Sequence, residues 1–305
     1  MKILFMGTPD FAKTNLRKLV ESGYDVCGVV SQQDKPRGRK MEMVMPPVKE
    51  YALEKNIPVY QPDTLKDGAL LPVLQEHQPQ LIVVVAYGKL LPEYILNYPK
   101  YGCINVHGSL LPKYRGSAPV QWSVINGDKT TGVTTMYMDK GMDTGDILLQ
   151  KEFDILPKET SGNLMDRMAD IGADLLIETI EKLGSIIPVK QENEKATHAP
   201  MLSKDMAKMD FSKSAICLQN LVYGMYPWPC AYFETEKGII KVYEAEAIDA
   251  DSNKPAGTII KADKELIIQT GKGQLVVYEL QLQGKKRMNI QDFLRGNKME
   301  EGSLI

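Results

Sequence analysis

The sequence contains few cysteines and histidines, and their spacing excludes several kinds of site. Four cysteines are scattered along 305 residues without forming a CxxC pair: Cys27, Cys103, Cys217 and Cys230. This pattern predicts neither a zinc site nor a disulfide framework. Of the three histidines, His77 and His198 lie in polar, unpatterned surroundings, which argues against a histidine-rich metal cluster. We therefore expect no metal, and cysteines that are small buried residues in a reducing compartment.

An excess of charge of one sign and long apolar runs are also missing. The formal net charge of −2 gives no general attraction to nucleic acid, so such a partner requires a local basic patch. No apolar run approaches the roughly 18 residues of a membrane span. The opening MKILFMGTPD lacks the apolar segment and cleavage site of a signal peptide. With 43% hydrophobic and 25% charged residues, we expect a globular, cytoplasmic protein with no membrane partner.

Strands and helices alternate over the first two thirds of the chain. Predicted strands cover residues 2–6, 26–30, 81–86, 103–107, 132–138 and 147–151, with helices over about 10–22 and 162–183. The run LIVVVA at 81–86 is apolar at every position, which is typical of the centre of a sheet covered on both faces. The pattern predicts an α/β fold with a Rossmann-like, doubly wound, mostly parallel sheet over residues 1–184.

The last hundred residues differ in character. A polar, aperiodic stretch over 185–208 indicates a linker, and residues 209–305 contain about five short strands with glycine-bearing turns. That pattern favours a small β-barrel of the oligonucleotide-binding type. Residues 206–305 hold 13 Lys and Arg against 13 Asp and Glu, so net charge does not argue for nucleic acid there. The cluster at 285–287 (KKR) still offers one basic face.

The segment MGTPDF at 6–11 joins the first strand to the first helix. One glycine stands where a dinucleotide fingerprint needs three, so that motif is absent. We interpret Thr8 as the N-cap of the helix, with Pro9 at the first helical position.

His107 lies at the carboxyl end of a predicted strand, where open α/β sheets present ligand-binding groups. A core histidine with a satisfied hydrogen bond is the ordinary alternative. Strand alternation places Asn105 on the same side, so an amide and an imidazole converge on one point. Two donors aimed together suit an oxyanion, the species that acyl transfer must stabilise.

Ser109 follows in HGS and suggests a serine hydrolase, but the nucleophile elbow GxSxG is absent. We interpret Ser109 as a loop residue that bonds backbone or ligand. A carboxylate that orients His107 is available from Asp139, Asp143 or Asp146 in YMDKGMDTGD, where turn chemistry is the alternative role.

A basic stretch, SQQDKPRGRKMEMVMPP, covers residues 31–47 and leaves the same predicted edge of the sheet as His107. It carries Lys35, Arg37, Arg39 and Lys40. A solvated charged loop is the ordinary interpretation, and phosphate contact is the functional one. Glycine and proline at 36–47 predict disorder that is lost on binding.

Four segments in this order and spacing resemble the methionyl-tRNA formyltransferase family, within the folate-dependent formyltransferases: GTPDFA, VVAYGKLLP, GCINVHGSLLPKYRGSAPVQW and GMDTGDIL. The resemblance covers essentially the whole chain, including the PWP turn at 227–229. It implies 10-formyltetrahydrofolate as donor and the α-amino group of methionyl initiator tRNA as acceptor.

The resemblance also implies roles for individual residues. Asn105, His107 and Asp143 form the implied catalytic set. The folate site would draw on Ser109, Leu110, Leu111 and Pro112 and on the backbone of Tyr87, Gly88, Lys89, Leu90 and Leu91. The implied tRNA contacts are Lys35, Arg37, Arg39 and Lys40, and 209–305 would be a tRNA-binding domain.

Chemistry agrees with this assignment, because a neutral acceptor amine is already a nucleophile and needs no covalent intermediate. Asn105 and protonated His107 would stabilise the oxyanion, and Asp143 would favour the charged imidazole and accept the proton of the amine. Three alternatives stay open: a formyltransferase acting on glycinamide ribonucleotide or an amino sugar, a hydrolase that passes the formyl group to water, and a non-catalytic RNA-binding protein.

Overall fold

The computed structural model describes residues 1–37 and 41–305. The described chain divides into two compact units. The first comprises Met1–Pro119, Thr130–Phe153 and Met165–Pro200, and the second comprises Val120–Lys129, Asp154–Leu164 and Met201–Ile305. Within the described residues, no helix is both long enough and apolar enough to cross a membrane.

The strands up to residue 200 are β1 (Lys2–Gly7), β2 (Asp25–Val30), β3 (Lys35–Arg37), β4 (Glu42–Val44), β5 (Val59–Tyr60), β6 (Leu81–Val85), β7 (Cys103–His107), β8 (Arg115–Gly116), β9 (Thr130–Tyr137), β10 (Ile147–Asp154) and β11 (His198–Ala199). The helices are α1 (Asp10–Glu21), α2 (Pro47–Glu54), α3 (Leu71–His77), α4 (Glu93–Leu96), α5 (Pro119–Ile125) and α6 (Ser161–Glu181), with a 3-10 turn at Asn193–Lys195.

Seven of these strands form one sheet in the order β10-β9-β7-β6-β1-β2-β5. The five strands β5, β2, β1, β6 and β7 are parallel, and β9 is antiparallel to β7. All five residues of β6 are buried, as an apolar strand at the centre of a covered sheet should be. The predicted doubly wound, mostly parallel sheet is confirmed, with β6 at its centre.

The start of α1 differs from the sequence prediction. Helical hydrogen bonding begins at Pro9, whose carbonyl accepts from the backbone N–H groups of Ala12 and Lys13 at 3.0 Å each. Pro9 therefore occupies the N-cap position without a side-chain cap. Thr8 Oγ1 instead accepts a bond from the N–H of Gln32 at 3.4 Å. The predicted Thr8 cap is wrong because the chain is still extended there and Thr8 bonds the loop that follows β2.

Residues 185–200 lie within the first unit. Val189 pairs with Ile147 at the start of β10, and β11 runs parallel to β8. Gln191 is buried, with 6% of its surface exposed. Although this segment is polar, it makes specific contacts with the loop that follows β7.

The basic stretch contains regular structure where it is described. β3 and β4 form an antiparallel hairpin in which Lys35 pairs with Val44 and Arg37 with Glu42, and α2 begins at Pro47. The two flanks supply a backbone ladder to each other. The disorder expected over 36–47 in the absence of a partner stays a prediction.

The second unit contains a six-stranded antiparallel sheet that resembles half a barrel. Its strands are β12 (Tyr232–Thr235), β13 (Gly238–Ile248), β14 (Ile259–Ala262), β15 (Leu266–Gln269), β16 (Gln274–Leu282) and β17 (Met288–Asn289), with α7 (Ala215–Gly224), α8 (Ile290–Gly296) and a 3-10 turn at Asp205–Ala207. The order is β12-β13-β16-β15-β14, with β17 beside β16. An apolar core that includes Phe233, Leu266 and Phe293 supports it.

Candidate active site

The site is built on the carboxyl end of β7. Asn105 and His107 are alternate residues of this strand, so their side chains point to the same side of the sheet. His107 is buried, whereas Asn105 is half-buried. Within the described residues, the side-chain amide of Asn105 has no hydrogen-bond partner. The amide donor next to the imidazole is thus available to a substrate.

The two ring nitrogens of His107 have different partners. Nε2 lies 2.9 Å from the carbonyl oxygen of Tyr114, and because a carbonyl only accepts, Nε2 carries a proton. Nδ1 lies 3.7 Å from Oδ2 of Asp143, whose side chain is 14% exposed. The Tyr114 carbonyl fixes the orientation of the ring, and the carboxylate faces the nitrogen that remains for proton chemistry.

The three aspartates of the turn after β9 have separate roles. The Asp139 carboxylate accepts bonds from the N–H of Gly141 at 3.0 Å and from Thr144 Oγ1 at 2.7 Å, which is turn chemistry. Oδ2 of Asp143 accepts the N–H of Gly116 at 2.8 Å and faces His107. Asp146 is exposed. The turn role therefore applies to Asp139, and the role of Asp143 toward His107 stays a prediction.

Ser109 is a loop residue that bonds the backbone. Its hydroxyl donates to the carbonyl of Lys113 at 2.6 Å, and its own carbonyl accepts from Thr134 Oγ1 at 2.6 Å. His107 Nε2 bonds Tyr114 instead, so Ser109 and His107 do not form a serine–histidine pair of the hydrolase kind.

The residues after Ser109 pack against the neighbouring strands. Leu111 is buried, its N–H bonds Thr134 Oγ1 at 3.1 Å, and its carbonyl accepts from Gln150 Nε2 at 2.9 Å. Leu110 lies against Gly132, where an added Cβ would come within 2.4 Å of the leucine side chain. The Pro112 carbonyl accepts from the N–H of Thr197 at 3.3 Å. The folate-binding role of 109–112 stays a prediction.

An open groove of about 660 Å³ lies beside the loop that follows β6. It is lined by Asp63, Thr64, Leu65, Lys66, Lys89, Leu90, Leu91, Pro92, Glu93 and Lys140. Three residues of the predicted folate loop, Lys89 to Leu91, therefore share one concave surface with Lys140 of the turn that carries Asp143. Its volume lies within the range of small-molecule sites.

The first residues of that loop hold its shape. Tyr87 is buried, which raises the pKa of its phenol to about 12, and its carbonyl accepts from Gln32 Nε2 at 2.9 Å. Gly88 has φ +81°, a left-handed conformation that favours glycine. Lys89 Nζ donates to the carbonyl of Asp63 at 2.8 Å.

The predicted tRNA-contacting residues divide between described and undescribed positions. Lys35 is exposed and Arg37 is the last residue of β3, whereas Arg39 and Lys40 lie outside the described residues. Four apolar side chains on the other half of the hairpin are exposed, which the sequence pattern did not predict: Met41, Met43, Val44 and Met45. At its base, hydrogen bonds from Lys49 and Gln61 hold the pKa of Asp34 below its ordinary value.

Sequence reasoning missed three polar residues beside the site. Arg115 donates to the side-chain oxygens of Gln191 and Asn193, and Gln191 bonds the turn that carries Asp143. Arg115 lies in the segment SLLPKYRG that follows His107, so the sequence already indicated that these two residues are close together. Gln191 lies 84 positions beyond His107 in a polar stretch without periodicity, and no local pattern distinguishes it.

Among described residues, no group of three or more His, Cys, Asp or Glu side chains is arranged to hold a metal ion.

Family comparison identifies the class of protein. The formyl transferase family model matches residues 1–180, and the model of the formyl transferase C-terminal domain matches residues 201–298. Fold and matches together define a formyl transferase.

Full-length relatives show which family of formyl transferases the chain belongs to. The chain is 46% identical to methionyl-tRNA formyltransferase of Caldanaerobacter subterraneus subsp. tengcongensis, covering 100% of both chains. It is 47% identical to methionyl-tRNA formyltransferase of Lachnospira eligens, covering 100% of this chain and 99% of the relative. The chain belongs to the methionyl-tRNA formyltransferase family.

A solved structure supports the fold. The N-formyltransferase from Helicobacter canadensis, in complex with folinic acid and dTDP-3-aminofucose, superposes with a TM-score of 0.68 at 16% identity. The match covers 94% of this chain and 100% of that chain.

Proposed function

We propose that the protein transfers the formyl group of 10-formyltetrahydrofolate to the α-amino group of methionyl initiator tRNA, giving formylmethionyl-tRNA for translation initiation in the cytoplasm. The observation that carries the chemistry is the convergence of Asn105, His107 and Asp143 at the end of β7. The full-length relatives support methionyl-tRNA as the acceptor, because they are methionyl-tRNA formyltransferases.

The acceptor amine attacks the formyl carbon directly, which forms the new C–N bond and a tetrahedral oxyanion. The amide N–H of Asn105 and the Nδ1–H of protonated His107 donate to that oxyanion. With Nε2 bonded to Tyr114, Nδ1 is the His107 nitrogen that remains to act.

Asp143 faces the imidazole of His107, with its carboxylate 3.7 Å from Nδ1. It also accepts the proton that the attacking amine loses. Collapse of the intermediate breaks the bond from the formyl carbon to the folate nitrogen, which takes up a proton and leaves as tetrahydrofolate. No covalent enzyme intermediate is formed, in agreement with the bonds that commit Ser109 to its own loop.

The groove beside Lys89 to Leu91 suits a folate. Leu90 is 65% exposed there and offers an apolar face to a planar ring, and Lys66 lines the same groove as a cation for a carboxylate of the folate glutamate. The Helicobacter canadensis enzyme, which shares the fold, was solved with folinic acid. We assign the pterin to the backbone of 87–91 and the adjoining wall to 109–112.

The hairpin after β2 suits the acceptor stem. Lys35, Arg37, Arg39 and Lys40 supply the local positive charge that a chain of net charge −2 needs for a phosphate partner. The second unit, with its half-barrel sheet, is the proposed additional tRNA-binding domain, and its balanced charge implies few phosphate contacts.

One experiment separates this function from its alternatives. Purified protein receives 10-formyltetrahydrofolate labelled in the formyl group, together with methionyl initiator tRNA, glycinamide ribonucleotide, a dTDP-amino sugar, or water alone. We expect label on the methionyl-tRNA, with at least a hundredfold preference over the other acceptors. Label on a small amine, in formate, or on no acceptor at all would assign the protein to one of the other classes.

A further inference from the structure

The Nε2 group of Gln191, in the segment after α6, donates two hydrogen bonds to the turn that carries Asp143 and lies 4.0 Å from Met136 Sδ. Gln191 Nε2 donates to the carbonyl of Asp143 at 2.9 Å and to the carbonyl of Gly145 at 2.7 Å. We propose that Gln191 is a positioning residue, which fixes this turn so that the Asp143 carboxylate faces His107. The proposal rests on the proposed catalytic role of Asp143.

Arg115 fixes which way the Gln191 amide points. Its Nε and Nη2 donate to Gln191 Oε1 at 3.0 and 2.8 Å, and Nη2 also donates to Asn193 Oδ1 at 3.0 Å. A guanidinium has donors and no acceptor, so the amide oxygen must face Arg115. The NH₂ group is thereby directed at the turn. Both side chains are 6% exposed, so water competes little for these bonds.

The turn needs this support because its backbone is constrained. Asp143 adopts φ +56°, a left-handed conformation that non-glycine residues rarely take. At Gly145, an added Cβ would lie 1.8 Å from the carbonyl oxygen of Tyr137, so the turn lies directly on β9. Two carbonyls on either side of Thr144 are held by one amide group, which restrains the peptide units that set the direction of Asp143.

Two neighbouring residues of β8 restrain Asp143, one through Gln191 and one through a direct hydrogen bond. Arg115 and Gly116 are consecutive residues of β8; the Arg115 side chain holds Gln191, and the Gly116 N–H donates to Asp143 Oδ2 at 2.8 Å. A single short strand thus restrains the turn through Gln191 and the carboxylate directly. Displacement of the turn by about an ångström would break the geometry on which transfer depends.

Gln191→Glu separates positioning from general support of the fold. Glutamate keeps an acceptor for Arg115 but, when ionised, has no N–H for the carbonyls of Asp143 and Gly145. We expect kcat to fall about 10- to 100-fold, with KM for tRNA and folate changed less than threefold. The control is Asn15→Asp in α1, where a fully buried amide donates to the backbone carbonyl of Phe11 at 2.9 Å, away from the candidate site. We expect the control to keep its kcat within twofold.

A readout independent of turnover is the amide proton of Gly116 in a ¹⁵N-labelled NMR spectrum. In Gln191→Glu we expect this resonance to move at least halfway toward its position in Asp143→Ala, and the Gly116 amide to exchange faster with solvent. If Gln191→Glu does not fold, Asn193→Ala removes one acceptor of Arg115 and should give the same changes with a several-fold loss of kcat.

Normal kcat in a folded Gln191→Glu, or a Gly116 resonance that does not move, would overturn the positioning role. The two proposals fail separately. If Asp143 is not catalytic, Asp143→Asn keeps its activity while Gln191→Glu still shifts the Gly116 resonance. If Gln191 does not position the turn, Asp143→Asn is inactive and the Gly116 resonance is the same in Gln191→Glu as in the wild type.

Discussion

Two loop regions follow the carboxyl ends of parallel strands in the same sheet. They differ in how their polar side chains are bonded and exposed. The loop after β7, with the turn at 139–146, carries polar groups that bond one another, among them the buried His107 and Ser109. His107 bonds Tyr114, Ser109 bonds Lys113, and Gly116 bonds Asp143. The hairpin after β2 exposes Lys35 and several thioethers, and is anchored at its base by the bonds of Asp34 with Lys49 and Gln61.

The difference matches the two tasks of a formyltransferase with a tRNA substrate. Oxyanion stabilisation depends on donors that are fixed before the reaction and shielded from water. Phosphate contact depends on accessible cations and tolerates movement, because it is mainly electrostatic. Substitutions in the first region should therefore change turnover, and substitutions in the second should change tRNA binding and its salt dependence.

The largest effect should come from His107→Asn, which removes the charged donor and the partner of Asp143. We expect kcat to fall roughly 10²- to 10³-fold, as for the loss of one oxyanion donor. The dissociation constant for tRNA should change less than threefold. Steady-state kinetics and a filter-binding titration measure the two quantities. Turnover close to that of the wild type would remove His107 from the mechanism.

Ser109→Ala should have a smaller effect that separates a loop residue from a nucleophile. The change leaves the Lys113 carbonyl without its 2.6 Å bond, and we expect the free energy of unfolding to fall by about 1–2 kcal/mol. Because the hydroxyl does no chemistry, kcat should stay within tenfold of the wild type. Urea unfolding and kinetics test both statements, and a loss of turnover as large as that of His107→Asn would restore the nucleophile interpretation.

Lys35→Ala tests the hairpin side of the comparison. We expect KM for tRNA to rise a few-fold with kcat unchanged, and the slope of log K against log salt to become shallower by about 0.7–0.9. Lys2→Ala is the matched control, since Lys2 is an exposed lysine at the opposite, amino end of β1. An equal effect of both variants would show that Lys35 contributes charge without a specific phosphate contact.

Lys49→Met should give the smallest effect, with a defined pH dependence. Lys49 and Gln61 lower the pKa of Asp34 in the folded protein, so this pair stabilises the fold above the ordinary pKa of an aspartate, about 3.9. That stabilisation is lost as pH falls through the lowered pKa. At pH 7 we expect the variant to be less stable by under about 1 kcal/mol, with the difference shrinking as the pH falls below the ordinary pKa of an aspartate. Urea unfolding at several pH values measures it, and a difference that persists at acid pH would exclude the ion pair as its cause.

The elements that sequence predicted correctly are those with a clear apolar pattern. The strand β6 follows from an unbroken apolar run and the helix α6 from helical spacing, and strand alternation placed Asn105 on the same side as His107. Thr8 was misjudged because a threonine before a proline fits two different positions at a helix start. Gln191 could not be found, since a polar side chain that bonds a distant backbone carbonyl leaves no period in the sequence.

The account depends most directly on Asp143. The decisive measurement is the single-turnover rate of labelled formyl transfer to methionyl initiator tRNA, with wild type and Asp143→Asn each saturated with both substrates. Asparagine keeps the size of the side chain and an acceptor for Gly116, but it cannot take the proton of the amine. We predict that the rate falls at least about 10²-fold, the scale of a lost acid–base group, while both substrates bind as before. A rate within tenfold of the wild type would contradict the account.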